Sequence, residues 1–190
     1  MKNILTLIVL SCLFIGCTHK VQTDIDPYVT SHQNEVQDRK INFVGVEDKR
    51  NTKIVSTIVN NGLKSDQYPL NVDVKVWYTE ALIREFKNIQ MLDEQKSSDI
   101  DVKIIIKNID AIYKNETFNT KNMTSNIQME LIVTKGKTTT TSKIQINQSV
   151  YKPVVYDAEG FESIINDSMK ESVSKAIEIL IKKMKVKSNF

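Results

Sequence analysis

Ile127-Gln-Met-Glu-Leu-Ile-Val-Thr-Lys-Gly-Lys-Thr-Thr-Thr-Thr-Ser-Lys-Ile-Gln-Ile146 decides the fold. Ile127, Met129, Leu131 and Val133 recur at every second place, the period at which strand side chains share a face. Ile144 and Ile146, with Val150 beyond, do the same on the far side of Gly136-Lys137. If those two residues are the loop, Met129 stands opposite Ile144 and Ile127 opposite Ile146, and the apolar sets meet on one face. A three-residue loop would send them to opposite faces. Glycine at the first central place suits a type II′ turn. The other face carries Gln128, Glu130, Ile132 and Thr134 against Thr139, Thr141, Lys143 and Gln145, and reads as wet.

The preceding segment, Asp99 to Tyr113, is the strongest strand. Ile100, Val102, Ile104 and Ile106 alternate with Asp101, Lys103, Ile105 and Lys107. The apolar phase then slips to Ile109, Ala111 and Tyr113, which predicts a β-bulge near Lys107-Asn108. Two shorter strands precede it, Ile41 to Val46 and Lys53 to Val59, the second closed by the turn signal Asn60-Asn61-Gly62. Residues 63–69 read as a loop.

Between these strands lies a helix capped by Asn71 or Asp73, with Val74, Trp77, Tyr78, Ala81, Leu82, Phe86 and Ile89 at three- and four-residue steps. A longer helix ends the chain after the loop 151–160. Phe161, Ile164, Ile165, Met169, Val173, Ile177, Leu180, Ile181 and Met184 form its apolar side. Its acidic residues fall early, and Lys182, Lys183, Lys185 and Lys187 crowd its end, complementing the helix dipole. The other reading of those lysines is a basic patch for an anionic lipid or polymer. The order β, β, α, β, β, β, α predicts an α+β domain over residues 41–190, a mainly antiparallel sheet with both long helices on one face.

Outward from the domain the composition changes. Residues 18–40 are polar, with Val21, Ile25, Tyr28, Val29 and Val36 at no regular period, and read as a flexible tether reaching roughly 25–30 Å. Before them, Lys2 leads an apolar run from Ile4 to Ile15. At about 1.5 Å per residue this run covers roughly 18 Å, too short to span a bilayer and long enough for a signal peptide. Its end, Leu13-Phe14-Ile15-Gly16-Cys17, resembles the lipobox of bacterial lipoproteins. That resemblance implies removal of residues 1–16, diacylglycerol on the thiol of Cys17, and a lipid anchor made stable by two or more acyl chains. Thr18 is not the Asp that retains enterobacterial lipoproteins in the inner membrane, which implies the outer membrane.

The chain has 190 residues, 26 Lys+Arg against 23 Asp+Glu, two Cys and two His. A net charge of +3 is too balanced to indicate nucleic-acid binding. Cys12 and Cys17 precede the domain, as do His19 and His32, so neither a cysteine-ligated metal nor a histidine base is available within it. Phosphate-binding glycine motifs and nucleophile elbows are absent from the sequence. The expectation is a protein without catalytic residues, metal or cofactor.

Two places are candidates for contact with a partner. The first is the polar outer sheet face, with Lys103 and Lys143 as its cations and Ile105 and Ile132 as apolar interruptions. The second is Asp48-Lys49-Arg50, leaving the first strand beside Gly45, where Asp48 and Arg50 either recognise a ligand or pair with each other across a bend.

The lipobox, the polar stretch, the Val44-Gly-Val strand running into Asp48-Lys-Arg, and the helix Asp73-Val-Lys-Val-Trp-Tyr-Thr-Glu-Ala-Leu-Ile-Arg-Glu-Phe86 together resemble the YajG-type bacterial lipoproteins. The resemblance covers residues 41–180. It implies an envelope-anchored, periplasm-facing α+β domain and brings no catalytic residues. The expected role is accessory or structural, through binding of an envelope protein or polymer. The alternative is a surface-displayed, adhesin-like lipoprotein that contacts host or matrix.

Overall fold

The computed structural model describes residues 20–30, 38–115 and 121–186. The expected signal peptide, Cys17 and both histidines lie outside them. The elements are β1 (Asn42–Asp48), β2 (Ile54–Asn60), β3 (Leu63–Pro69), α1 (Val74–Asn88), β4 (Ile100–Asn115), β5 (Lys121–Lys135), β6 (Thr138–Tyr151), a 3-10 turn (Ala158–Phe161) and α2 (Glu162–Val186).

β4 organises the sheet. One edge pairs antiparallel with β5 along its whole length, and β5 pairs antiparallel with β6. The other edge is shared: β1 runs parallel to residues 101–106 and β2 parallel to residues 111–115. The sheet is therefore mixed, with three antiparallel and two parallel pairings. The predicted bulge lies between Ile106 and Asn108. It absorbs the phase slip, so that Ile106, Ile109, Ala111 and Tyr113 are all buried. It also lies level with the break between β1 and β2 on the neighbouring edge.

The hairpin register is the one that the apolar pattern requires: Met129 pairs with Ile144 and Ile127 with Ile146. Gly136 has φ +55 and Lys137 keeps a negative φ, as a type II′ turn demands. Val150, expected on the apolar face, is 40% exposed one residue before the strand ends.

Residues 63–69 are a strand and not a loop. β3 pairs antiparallel with β2 through Asn61-Gly62, both at positive φ, the conformation of a type I′ hairpin. Its first five residues are exposed, so no apolar alternation marks it. A short, charged edge strand ending in proline is a common way to keep a sheet edge from pairing further.

Both helices cover one face. Asp73 caps α1, its carboxylate accepting from the Val76 backbone N–H at 3.0 Å. α1 packs on β1 and α2 on β5 and β6. Tyr78 of α1 and Ser172 of α2 share a buried hydrogen bond of 2.8 Å between the helices. Burial pushes the Tyr78 hydroxyl pKa up.

The expected tether does not describe residues 20–30, which form a strap on the domain. Thr23 bridges Leu70 in parallel and its hydroxyl meets that of Ser56 at 2.9 Å, both fully buried. Ile25 and Tyr28 enter the core. The strap has no regular ladder, so side chains satisfy its backbone: Asn71 accepts from Ile25 N–H, Asn166 accepts from Asp26 N–H, and Trp77 donates to the Asp26 carbonyl. Irregular spacing of apolar residues is what such a segment needs, and it is invisible to a search for periods.

Candidate functional site

Lys103 and Lys143 stand on the sheet face away from the helices, as expected. Lys103 is not free there. Its ammonium lies 2.7 Å from Glu47, which also holds Lys49 at 3.1 Å. The bond from Lys103, then that from Lys49, keeps the Glu47 carboxyl below the usual carboxylate range. Lys143 is exposed and sits opposite Glu130, whose carboxylate is engaged by Lys107 at 3.2 Å. Next to these pairs a row of amides crosses three strands, with Asn108 donating to Asn126 and Asn126 to Asn147. Ile105 is only 7% exposed, so the apolar interruption of this face is small.

Asp48 and Arg50 do meet, and they meet each other. Arg50 donates Nε and Nη2 to the two carboxylate oxygens of Asp48 at 2.9 and 2.7 Å. The bidentate bond holds the Asp48 carboxyl below its ordinary range. The Arg50 side chain is 8% exposed, and its Nη1 is buried without a hydrogen-bond partner. Beside it a small cavity of about 130 Å³ reaches Asp73 and Val74 at the start of α1. The pair thus closes the break between β1 and β2 on the helix side of the sheet. Lys103 and Lys143 occupy the opposite side, so the two candidate surfaces do not form one site.

A third feature arises only from the packing. Where the last turns of α2 cross the β5–β6 hairpin, a half-open groove of about 440 Å³ forms. Ile100, Val133, Ile179 and Met184 make its floor. Arg39, Lys135, Lys182 and Lys183 make its rim, and among the described residues no carboxylate lines it. Lys183 is fixed by donating to the Thr140 hydroxyl at 3.1 Å, and Lys135 faces the exposed Asp99 at 3.7 Å. The terminal lysines alone indicated a dipole complement or a basic patch. The apolar floor beneath them comes from β4, β5 and α2, and no local pattern reports that juxtaposition.

The opposite end of α2 is where the strap begins. Lys20 forms ion pairs of 2.9 Å with both Asp24 and Glu162, and its carbonyl accepts from Ala158 N–H. These carboxylates raise the Lys20 pKa, the bond from Glu162 contributing most. No helix among the described residues is long and apolar enough to cross a membrane.

No family model matches this chain, and no curated protein matches it by sequence. Solved structures do share its fold. Protein XCC0632 from Xanthomonas campestris, assigned to DUF330, is 8% identical with a TM-score of 0.61, covering 90% of this chain and 98% of its own. The hypothetical protein CT253 from Chlamydia trachomatis is 6% identical with a TM-score of 0.50, covering 76% and 96%. The rare lipoprotein B from Shewanella oneidensis is 10% identical with a TM-score of 0.49, covering 68% and 95%. At such identities the first two likenesses are ones of fold.

Proposed function

We propose that the protein is an envelope lipoprotein, anchored in the outer membrane through lipid on Cys17 and facing the periplasm, that acts by binding an envelope protein or polymer and not as an enzyme. The observation that carries this reading is the distance between the lipobox and the packed domain. Cys17 precedes Lys20 by three residues, at most about 11 Å of extended chain. Lys20 is itself held to the start of α2. A lipid on Cys17 would thus hold one defined end of the domain at the bilayer surface, an arrangement that serves a protein working beside its membrane.

The binding role is supported by the side-chain inventory. The chain beyond His32 contains no histidine, and none beyond Cys17 contains a thiol. Among the described residues no three metal-ligating side chains converge. On the outer face Glu47 and Glu130 are occupied by lysines, and Asp101 and Asp110 accept from the amides of Asn42 and Asn108.

Mass spectrometry of the membrane-extracted protein tests the anchor. The expected product lacks residues 1–16 and begins with an acylated cysteine, and Cys17→Ser leaves the chain uncleaved or releases it. A mature chain that retains Lys2 overturns the reading. Protease treatment of intact cells tests the facing: cleavage of the domain would place it on the cell surface and favour the adhesin-like role. Crosslinked pull-down of the lipidated protein tests the partner, with Lys143→Glu expected to weaken capture at unchanged stability. A purified protein that turns over an envelope substrate overturns the non-enzymatic role.

A further inference from the structure

We infer that the groove between the end of α2 and the β5–β6 hairpin binds an anionic single-chain amphiphile, a carboxylate or phosphate head on one alkyl chain. The inference rests on the reading that this domain acts by binding, and it names the ligand.

The floor supplies the first half of the chemistry. Ile100 and Met184 are nearly covered already, while Val133 and Ile179 are partly buried residues packed against the core. An alkyl chain laid on them removes apolar surface from water on both partners. Met184 is unbranched and adapts to a chain of variable shape. The space of about 440 Å³ lies within the usual range of ligand pockets, roughly 300–1,000 Å³.

The rim supplies the second half. Arg39, Lys135, Lys182 and Lys183 enclose the floor with four positive groups; among the described residues no carboxylate lines the groove, and the exposed Asp99 approaches only Lys135, at 3.7 Å. The end of α2 contributes only about half a negative charge from its dipole, so the mouth stays cationic. Long lysine side chains present methylenes along an apolar wall and the ammonium at its edge, which matches a ligand with an apolar body and a charged head. A bare inorganic anion has no use for the floor, and a neutral chain has none for the rim. The groove lies about 31 Å along α2 from Glu162, where the strap holds Lys20. The proposed ligand is a dispersed amphiphile, and the vesicle arm of the test separates it from a lipid still seated in a bilayer.

The test uses the chain from residue 17 with Cys17→Ser, which retains every described residue and removes its own lipid as an occupant. It is titrated calorimetrically with dodecanoate below its micelle concentration, with neutral dodecyl maltoside, and with inorganic phosphate. Dodecanoate is expected to bind saturably at one site, at least about tenfold more tightly than the maltoside, with no binding of phosphate. Lys135→Glu with Lys182→Glu should weaken dodecanoate at least about tenfold at unchanged melting temperature, and Ile179→Glu should abolish binding.

Absence of dodecanoate binding, equal binding of the neutral amphiphile, or an unaffected charge-reversed variant each overturns the proposal. So does sedimentation with phosphatidylglycerol vesicles without binding of dispersed dodecanoate, which identifies a membrane-surface patch. Failure here with an acylated Cys17 in cells removes the groove and leaves the anchor, and an unmodified Cys17 does the reverse.

Discussion

The Tyr28 hydroxyl donates a hydrogen bond of 2.5 Å to Oε1 of Glu85, a carboxylate with no exposed surface on α1. The same strap residue gives its carbonyl to Arg84 at 2.7 Å and its ring edge-on to Trp77 at 5.7 Å. A residue outside the predicted domain thus engages a fully buried carboxyl group inside it. Tyr28→Phe keeps the ring and removes the donor, so it should cost about 1–3 kcal/mol in urea unfolding. Tyr28→Ala also removes the packed ring and should cost about 3–5 kcal/mol. A strap that contributed nothing would leave both midpoints where they are.

The hairpin register makes a paired prediction. Leu131 is 1% exposed on the helix-facing side, and Thr139 stands on the other side opposite Thr134. Leu131→Asp buries an unpaired charge and should cost more than about 3 kcal/mol. Thr139→Asp should change stability by about 0.5 kcal/mol or less. Equal losses at the two positions would show that the buried face is misassigned.

Elements that bury one face were legible because burial imposes a period. Ile100 to Tyr113 carried both its alternation and its bulge, and Ile127 to Ile146 carried its register. The Asp73 cap and the apolar stripe of α1 were legible for the same reason. β3 was not, because Lys64, Ser65, Asp66 and Gln67 are exposed at a sheet edge and no core constrains them. Asn61-Gly62 gave the only clue, a turn that implies a returning strand. The strap escaped because its apolar residues fill separate gaps. At the candidate sites, the Asp48–Arg50 pair was a local alternative that the geometry selects. The groove needed residues from four distant stretches and had no local signature.

The Asp48–Arg50 pair gives a pH-dependent prediction. Arg50 is nearly buried, so Asp48→Asn leaves its charge without a counterion and should cost on the order of 2–4 kcal/mol at pH 7. The bond from Arg50 lowers the Asp48 pKa in the folded state. A carboxyl lowered on folding contributes stability that is fully present above its unfolded value, about 3.9, and is lost as pH falls through the folded value. The difference between wild type and Asp48→Asn should therefore be constant from pH 7 to about pH 5 and shrink towards pH 2. Urea titrations across that range measure it. A difference that does not change with pH would mean that Arg50 is not what the aspartate serves.

The strap also sets which end of the domain would lie nearest a lipid on Cys17. With Cys17 acylated, Lys20 lies within about 11 Å of the anchor. Lys20 is bonded to Glu162, and Ala158 N–H donates to its carbonyl, so the start of α2 shares that proximity. Val21, Val154 and Tyr156 are exposed in the neighbouring segments, where apolar and aromatic groups suit the headgroup boundary. The β5–β6 turn at Gly136-Lys137 follows the far end of α2, roughly 30 Å along its axis. A spin label at Glu159 of the lipidated protein in nanodiscs should be relaxed strongly by a lipid-soluble paramagnet, and a label at Lys137 weakly. Replacing Lys20 and Glu162 by Ala should free the strap's first residues and narrow that difference. Equal relaxation at the two labels in the unaltered strap would show that it does not hold the domain upright.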